Sequence, residues 1–123
     1  MRGINSPTRL GGIAAYLNNS NIDNCTATST SLLSDNNTFI GGIASQVNAQ
    51  SAIKNSTFNG IIKKKSSNQS SGMVAAKVFD GAVIEKCGVA GEFYGTSITA
   101  DNFSSYLVGE ATTTPTDCYY LTK

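Results

Sequence analysis

The chain contains no histidine and no tryptophan, two prolines, and nine basic against eight acidic residues in a length of 123. Without histidine, a Ser-His-Asp triad, a Cys-His nucleophile and every imidazole metal ligand are excluded. Charged residues make up 14% of the chain, against roughly 25% in an ordinary globular protein. The formal net charge of +1 lacks the basic excess of a nucleic-acid-binding face. Apolar runs are a few residues long, too short for a membrane span, and Met1-Arg2-Gly3-Ile4-Asn5-Ser6-Pro7 holds no signal-peptide core. No part of this sequence is expected to insert into a bilayer. Three cysteines are an odd number, so a complete set of intramolecular disulfides is ruled out.

What fills the chain instead is small, neutral and polar: 40 of the 123 residues are Asn, Ser or Thr. With 40% hydrophobic residues this suits one modest domain. Either the protein is intracellular or the sequence is a segment of a longer exported chain whose signal lies outside it, and the charge-poor composition favours the second. Six Asn-x-Ser/Thr triplets, at Asn18, Asn24, Asn36, Asn55, Asn68 and Asn102, are what chance provides in such a composition.

Two short elements recur in order. Gly11-Gly12-Ile13-Ala14 returns as Gly41-Gly42-Ile43-Ala44 and, loosened, as Ser71-Gly72-Met73-Val74, with Tyr106-Leu107-Val108-Gly109 as a shortened fourth copy. Gly12, Gly42 and Gly72 are read as equivalent, 30 residues apart. The second element is stricter: Ile22-Asp23-Asn24-Cys25-Thr26, Ile53-Lys54-Asn55-Ser56-Thr57, Ile84-Glu85-Lys86-Cys87-Gly88 and Pro115-Thr116-Asp117-Cys118-Tyr119 stand at constant offsets of 31. A period near 30 with fixed small and apolar positions is the mark of a stacked repeat, in which each unit buries its apolar side on the next.

Gly, Asn, Ser and Thr disfavour helix, and no window holds the i, i+3, i+4, i+7 apolar spacing. Each unit is therefore expected to be one rung of a right-handed parallel β-helix, since parallel crossovers take that hand. Strands are expected near 12–17, 22–28 and 31–33, with the third recurring at 61–63 and 92–94. Ile22 and Cys25 differ in parity, so a bend or bulge between Asn24 and Cys25 is needed to turn both inward. The interior columns read Ile13/Ile43/Met73/Leu107, Leu17/Val47/Val78, Ile22/Ile53/Ile84 and Ala27/Phe58/Val89/Tyr120. A small column, Ala15/Ser45/Ala75/Gly109, marks a crowded turn at which Gly12, Gly42 and Gly72 are expected to supply unusual dihedrals. Asn24 and Asn55 are expected to stack as an amide ladder. Residues 1–9 read as an N-terminal extension or cap, and 10–123 as one domain with repeats at about 10–39, 40–69, 70–104 and 105–123. A β-prism or trefoil is the alternative architecture.

These two elements resemble the GLUG-motif repeats of secreted and cell-surface bacterial proteins, whose unit runs Gly-Gly-Leu-Val-Gly followed by Ile-x-Asn-Cys-Tyr/Thr. The likeness extends from Leu10 to about Leu121, although the closing Gly of the first element survives only as Gly109. The resemblance implies an extracellular repeat region, accessory to a larger adhesin or peptidase, and brings no catalytic residue with it.

The column Cys25/Ser56/Cys87/Cys118 invites a metal reading, but thiolate ligation needs further donors, and buried thiols acting as small hydrophobes account for it. A Cys87–Cys118 disulfide is the second account, because adjacent parallel strands lie at a spacing such bonds accept. Lys63-Lys64-Lys65 reads as a solvated turn. Asp23, Lys54 and Glu85 read as an outward charge ladder rather than as catalytic carboxylates. A threonine ladder of the ice-binding kind, begun by Thr26 and Thr57, is interrupted at Gly88 and Tyr119. Tyr94, Tyr106 and Tyr119 are the candidate ligand face, since exposed phenol rings stack on sugars. No enzyme activity, metal or cofactor is expected. The expected role is a structural or adhesive module of a surface protein, with neighbouring domains, glycans or host matrix proteins as partners. The alternative is a carbohydrate-binding module using the Asn/Ser/Thr/Tyr face.

Overall fold

A computed structural model describes residues 2–3, 8–34, 38–64 and 71–121. Among these the chain is all-β, and its strands follow a repeating order. A short β1 (Arg2–Gly3) precedes a first unit of β2 (Thr8–Gly11), β3 (Ala14–Leu17), β4 (Asn21–Asp23) and β5 (Thr26–Ser34). The second unit is β6 (Thr38–Gly41), β7 (Ala44–Val47), β8 (Ala52–Lys54) and β9 (Thr57–Lys64). The third is β10 (Ser71–Gly72), β11 (Ala75–Val78), β12 (Val83–Glu85) and β13 (Gly88–Phe93). A hairpin strand β14 (Thr96–Ser97) and a 3-10 turn (Phe103–Tyr106) follow, then β15 (Val108–Ala111) and β16 (Tyr119–Tyr120). Thr8 and Arg9, read from sequence as part of an extension, thus lie in the first strand of the first unit, and Arg2–Gly3 pairs with Leu33–Ser34.

Apart from the hairpin of β13 with β14, strands pair with their counterparts one unit away and not with their neighbours along the chain. The four small sheets have the orders β10-β6-β2, β15-β11-β7-β3, β12-β8-β4 and β1-β5-β9-β13-β14 with β16 also on β13. All of these pairings are parallel except β13 with β14. The second repeat element is in register as read from sequence: Ile22 pairs with Ile53 and Ile53 with Ile84, while Ala27, Phe58, Val89 and Tyr120 form one row. Apart from the half-buried Tyr120, these side chains belong to the core, with Ile53, Phe58 and Val89 at 0% exposure.

The bend is built from the backbone. Asn24, Asn55, Lys86 and Asp117, each immediately before the Cys/Ser position, all have positive φ, between 52° and 58°. A left-handed residue reverses the alternation of faces, so Ile22 and the residue at position 25 both reach the interior. It also ends the strand: the 22–28 strand expected from sequence is divided there, and its second half runs on without a break into the expected third strand, giving the nine-residue β5. The extra residue of β5 is a bulge at Ser29, where the register shifts between Thr28 and Thr30. A second left-handed row, Asn19, Gln50 and Gly81, makes the turn between the preceding two strands.

The first repeat element is corrected. Gly72 pairs with Gly41, and Gly41 with Gly11, so Gly72 is not the equivalent of Gly42 and Gly12. Met73 therefore takes the place of Gly42, Val74 that of Ile43, and Ala76 rather than Ala75 follows Ser45, since Ala14, Ala44, Ala75 and Val108 share a row. Nor do these glycines supply unusual dihedrals: positive φ occurs among described glycines at Gly81, Gly91 and Gly95. Their role is close approach. A Cβ on Gly42 would fall on the Phe58 ring and on the Met73 carbonyl, and one on Gly12 would fall on the Gly42 carbonyl. The missing side chain at Gly42 makes room for Phe58, the largest fully buried side chain among the described residues. Ile13, read as interior, is 39% exposed, whereas its counterparts Ile43, Val74 and Leu107 are buried. Only Ile43 and Val74 have a pairing unit on both sides of them in this row.

Candidate functional site

The Cys/Ser column is held by one repeated local bond. Cys25 Sγ donates to the Asp23 carbonyl at 3.4 Å, Ser56 Oγ to Lys54 at 2.8 Å, Cys87 Sγ to Glu85 at 3.4 Å and Cys118 Sγ to Thr116 at 3.6 Å. Each reaches back two residues, across the left-handed position, to a backbone carbonyl, and those of Lys54, Glu85 and Thr116 also accept the backbone N–H of Asn24, Asn55 and Lys86. Serine and cysteine both fit because both present a short donor. Ser56 also accepts the Cys25 backbone N–H at 3.2 Å, and Cys87 makes a further contact to the Ile53 carbonyl at 3.5 Å. All three thiols are free, Cys87 buried and Cys25 and Cys118 half-buried. Cys118 lies against Cys87: donation from the Cys87 thiol lowers the Cys118 pKa to about 7, overcoming its partial burial. The same contact, together with burial, pushes Cys87 upward.

The three tyrosines do not form one face. Tyr94 stacks on Phe93 with centroids 4.6 Å apart and planes within 4°, and Phe93 meets Tyr106 at 5.0 Å. The Tyr94 hydroxyl shares a 2.9 Å hydrogen bond with Ser71 Oγ, and burial raises its pKa above the ordinary tyrosine value. Tyr94 and Gly95 both have positive φ, 51° and 83°, the geometry of a tight two-residue hairpin loop between β13 and β14. These rings are half-buried and pack against the core. Tyr119 is 42% exposed, its ring occupying the space that a Cβ on Gly88 would need. Gly88 is six residues before Tyr94 in the chain, about 20 Å along an extended strand.

A different surface collects polar and aromatic groups. Tyr16, Gln46, Lys77 and Glu110 form one row across β3, β7, β11 and β15, adjoining the buried Leu17, Val47 and Val78. Asn48 Nδ2 donates to the Tyr16 hydroxyl at 2.6 Å, and Gln46 Nε2 to Asn48 Oδ1 at 2.9 Å. Lys77 Nζ stands 3.7 Å from Glu110 Oε2, 5.1 Å from the centre of the Phe39 ring and 5.7 Å from that of Phe79. Beside it Lys77, Phe79, Glu110 and Thr112 line an open groove of about 530 Å³. Sequence reasoning missed these residues. The 30- and 31-residue offsets that align Tyr16, Gln46 and Lys77 were legible, but the approach of Phe39 from another sheet was not.

Asp23, Lys54 and Glu85 do share an outward row, yet the bond made there is from Asn55 Nδ2 to Asp23 Oδ1 at 3.0 Å. This replaces both the expected charge ladder and the Asn24–Asn55 amide ladder: a left-handed Asn55 aims its amide at the preceding unit's carboxylate. Lys63 is exposed at the end of β9, while Lys65 lies outside the described residues, as do Asn36 and Asn68. Among the described residues no three Cys, Asp or Glu side chains gather to hold a metal, and no helix is long and apolar enough to cross a membrane.

Residues 6–31 match the family model of the GLUG motif. This stretch carries Gly11-Gly12-Ile13-Ala14 and Ile22-Asp23-Asn24-Cys25-Thr26, and in that stretch the chain is similar to the family that its sequence resembles. The same pattern extends through the later units by register. No curated protein and no solved structure matches the chain.

Proposed function

We propose that the four small sheets are the faces of a right-handed parallel β-helix of four coils, and that this body is a non-catalytic structural or adhesive module of a secreted or cell-surface bacterial protein. The observation that carries the reading is the register: Thr26, Thr57, Gly88 and Tyr119 stand in one parallel row at a constant step of 31 residues. A prism or trefoil would pair strands within a unit, whereas here units pair with each other. The matched GLUG motif and the charge-poor, Asn/Ser/Thr-rich composition support the extracellular setting. Neighbouring domains of a longer protein would then be set apart by a body whose strands are mutually locked.

The groove beside Lys77 and Phe79 supports a second reading, carbohydrate binding. A half-exposed aromatic ring offers a face for sugar C–H groups, and the Lys77 ammonium, the Glu110 carboxylate and Thr112 offer hydroxyl partners. Binding of the folded chain to an array of glycans and matrix proteins tests both. Matrix-protein binding that survives Phe79→Ala supports adhesion. Glycan binding lost in Phe79→Ala makes the groove a sugar site. Silence from folded protein leaves a spacer.

A further inference from the structure

We propose that Cys87 and Cys118 form a thiol–disulfide exchange site, at which a small disulfide of the oxidised-glutathione class locks the fourth unit onto the third. Three observations converge. First, Gly88 pairs with Tyr119, so Cys87 and Cys118 stand side by side, each immediately before one of two adjacent parallel strands. That places their Cα atoms about 4.8 Å apart, within the roughly 4.4–6.8 Å that a disulfide accepts. Cys25 is excluded from the pair because Ser56 stands between it and Cys87. Second, access is asymmetric. Cys118 is half-buried and reachable, whereas Cys87 has no exposed surface and can react only with a sulfur already seated beside it. This is the arrangement of an attacking and a resolving thiol, and the lowered pKa of Cys118 makes it the attacking one.

Third, the bond would form across one of the short pairings of the fold. In this row the fourth unit is attached through the two-residue β16 and the single bridge between Glu85 and Thr116, whereas β13 pairs with β9 over six residues. A staple there constrains a lightly paired segment, and the loop it closes, with 30 residues between the two positions, is long enough for the constraint to matter.

The chemistry balances. The Cys118 thiolate attacks one sulfur of the external disulfide and expels one thiolate, leaving a mixed disulfide on Cys118. Cys87 gives its proton to the expelled thiolate and attacks the Cys118 sulfur, and the second thiolate leaves and takes a proton from water. Two protein thiols are oxidised and one external disulfide is reduced to two thiols.

The test treats the folded, reduced chain with oxidised glutathione and reads intact mass, the bridged peptides and the thermal melt. The expected result is loss of two hydrogens, one cross-linked peptide pair joining Cys87 to Cys118, and a free Cys25. The melting temperature rises by roughly 5–10 °C and returns to its starting value with dithiothreitol. Cys25→Ser behaves as the unaltered chain, and Cys118→Ser leaves Cys87 unmodified. A stable glutathione adduct on Cys118, a bridge that includes Cys25, no reaction at all, or a melt that fails to rise overturns the proposal.

Discussion

The second and fourth units are copies of one pattern with opposite fates. In the second, Ile43, Val47, Ile53, Phe58 and Ile62 all have 0% exposure, because a unit pairs with them on each side. In the fourth, Val108, Pro115 and Tyr120 keep part of their surface in solvent, and the strand corresponding to β2, β6 and β10 is replaced by the hairpin and the 3-10 turn. The pattern alone does not bury a side chain. Burial comes from being stacked upon, so stability should fall from the middle units toward the last one.

That comparison can be broken first at its centre. Ile53→Asp places a carboxylate in a fully enclosed row and should cost more than ~4 kcal/mol, enough to abolish a cooperative melt. Pro115 holds the equivalent place in the fourth unit, next to Thr116, which bridges Glu85, and Pro115→Asp should cost under ~1 kcal/mol. Equal losses in the two melts would refute the gradient. Gly42→Ala comes next, at roughly 3 kcal/mol, because its methyl group meets both the Phe58 ring and the Met73 carbonyl. A double mutant with Phe58→Leu should recover part of this loss, and strict additivity in denaturant titrations would remove the steric account.

A smaller change isolates the end of the array. Phe93→Ala removes the ring between Tyr94 and Tyr106, at about 2 kcal/mol. Hydrogen exchange should then quicken at Val108–Ala111 while the amides of Thr57–Lys64 keep their protection, and a uniform increase would mean that the units open together. The smallest effect is on reactivity. Alkylation of Cys118 should rise with a midpoint near pH 7, the pKa having fallen from 9.0 to about 7. Cys87→Ala removes the donor and should move the midpoint upward. Because the Cys118 pKa is depressed on folding, its contribution to stability is complete above pH 9.0 and lost as pH falls through about 7.

The sequence was most legible where the repeat step never changes. The 31-residue offset aligned Ile22/Ile53/Ile84 and Cys25/Ser56/Cys87/Cys118 correctly because no residue is inserted between these rows. The glycine element misled because a Gly-Gly pair in the first two units is reduced to one Gly in the third. Sequence spacing aligns Gly72 with the second glycine, and only its backbone pairing with Gly41 shows that it stands for the first. The need for a bend was visible in the parity of Ile22 and Cys25, but its form was not: Asn24, Asn55 and Asp117 are residues that adopt left-handed geometry readily, whereas Lys86 does so because the row requires it. The tyrosines were misplaced for a reason no spacing can reveal. Phe93 sits between Tyr94 and Tyr106, and these ring contacts join segments with no common repeat position. The groove at Lys77 was missed likewise, since its cation rests on Phe39 and Phe79 from outside its own row.

The parallel ladders between units also fix how the chain would respond to mechanical load. Hydrogen bonds such as Thr57 N–H to the Cys25 carbonyl and Gly88 N–H to the Ser56 carbonyl point from one unit to the next. Tension applied to the two termini pulls along these bonds and opens them a row at a time, as a zipper opens, instead of shearing many at once. A unit of 31 residues, such as that from Thr26 to Thr57, would lengthen the chain by roughly 100 Å on release. The rows would open stepwise, and the two-residue pairing of β16 with β13 is among the shortest of these ladders.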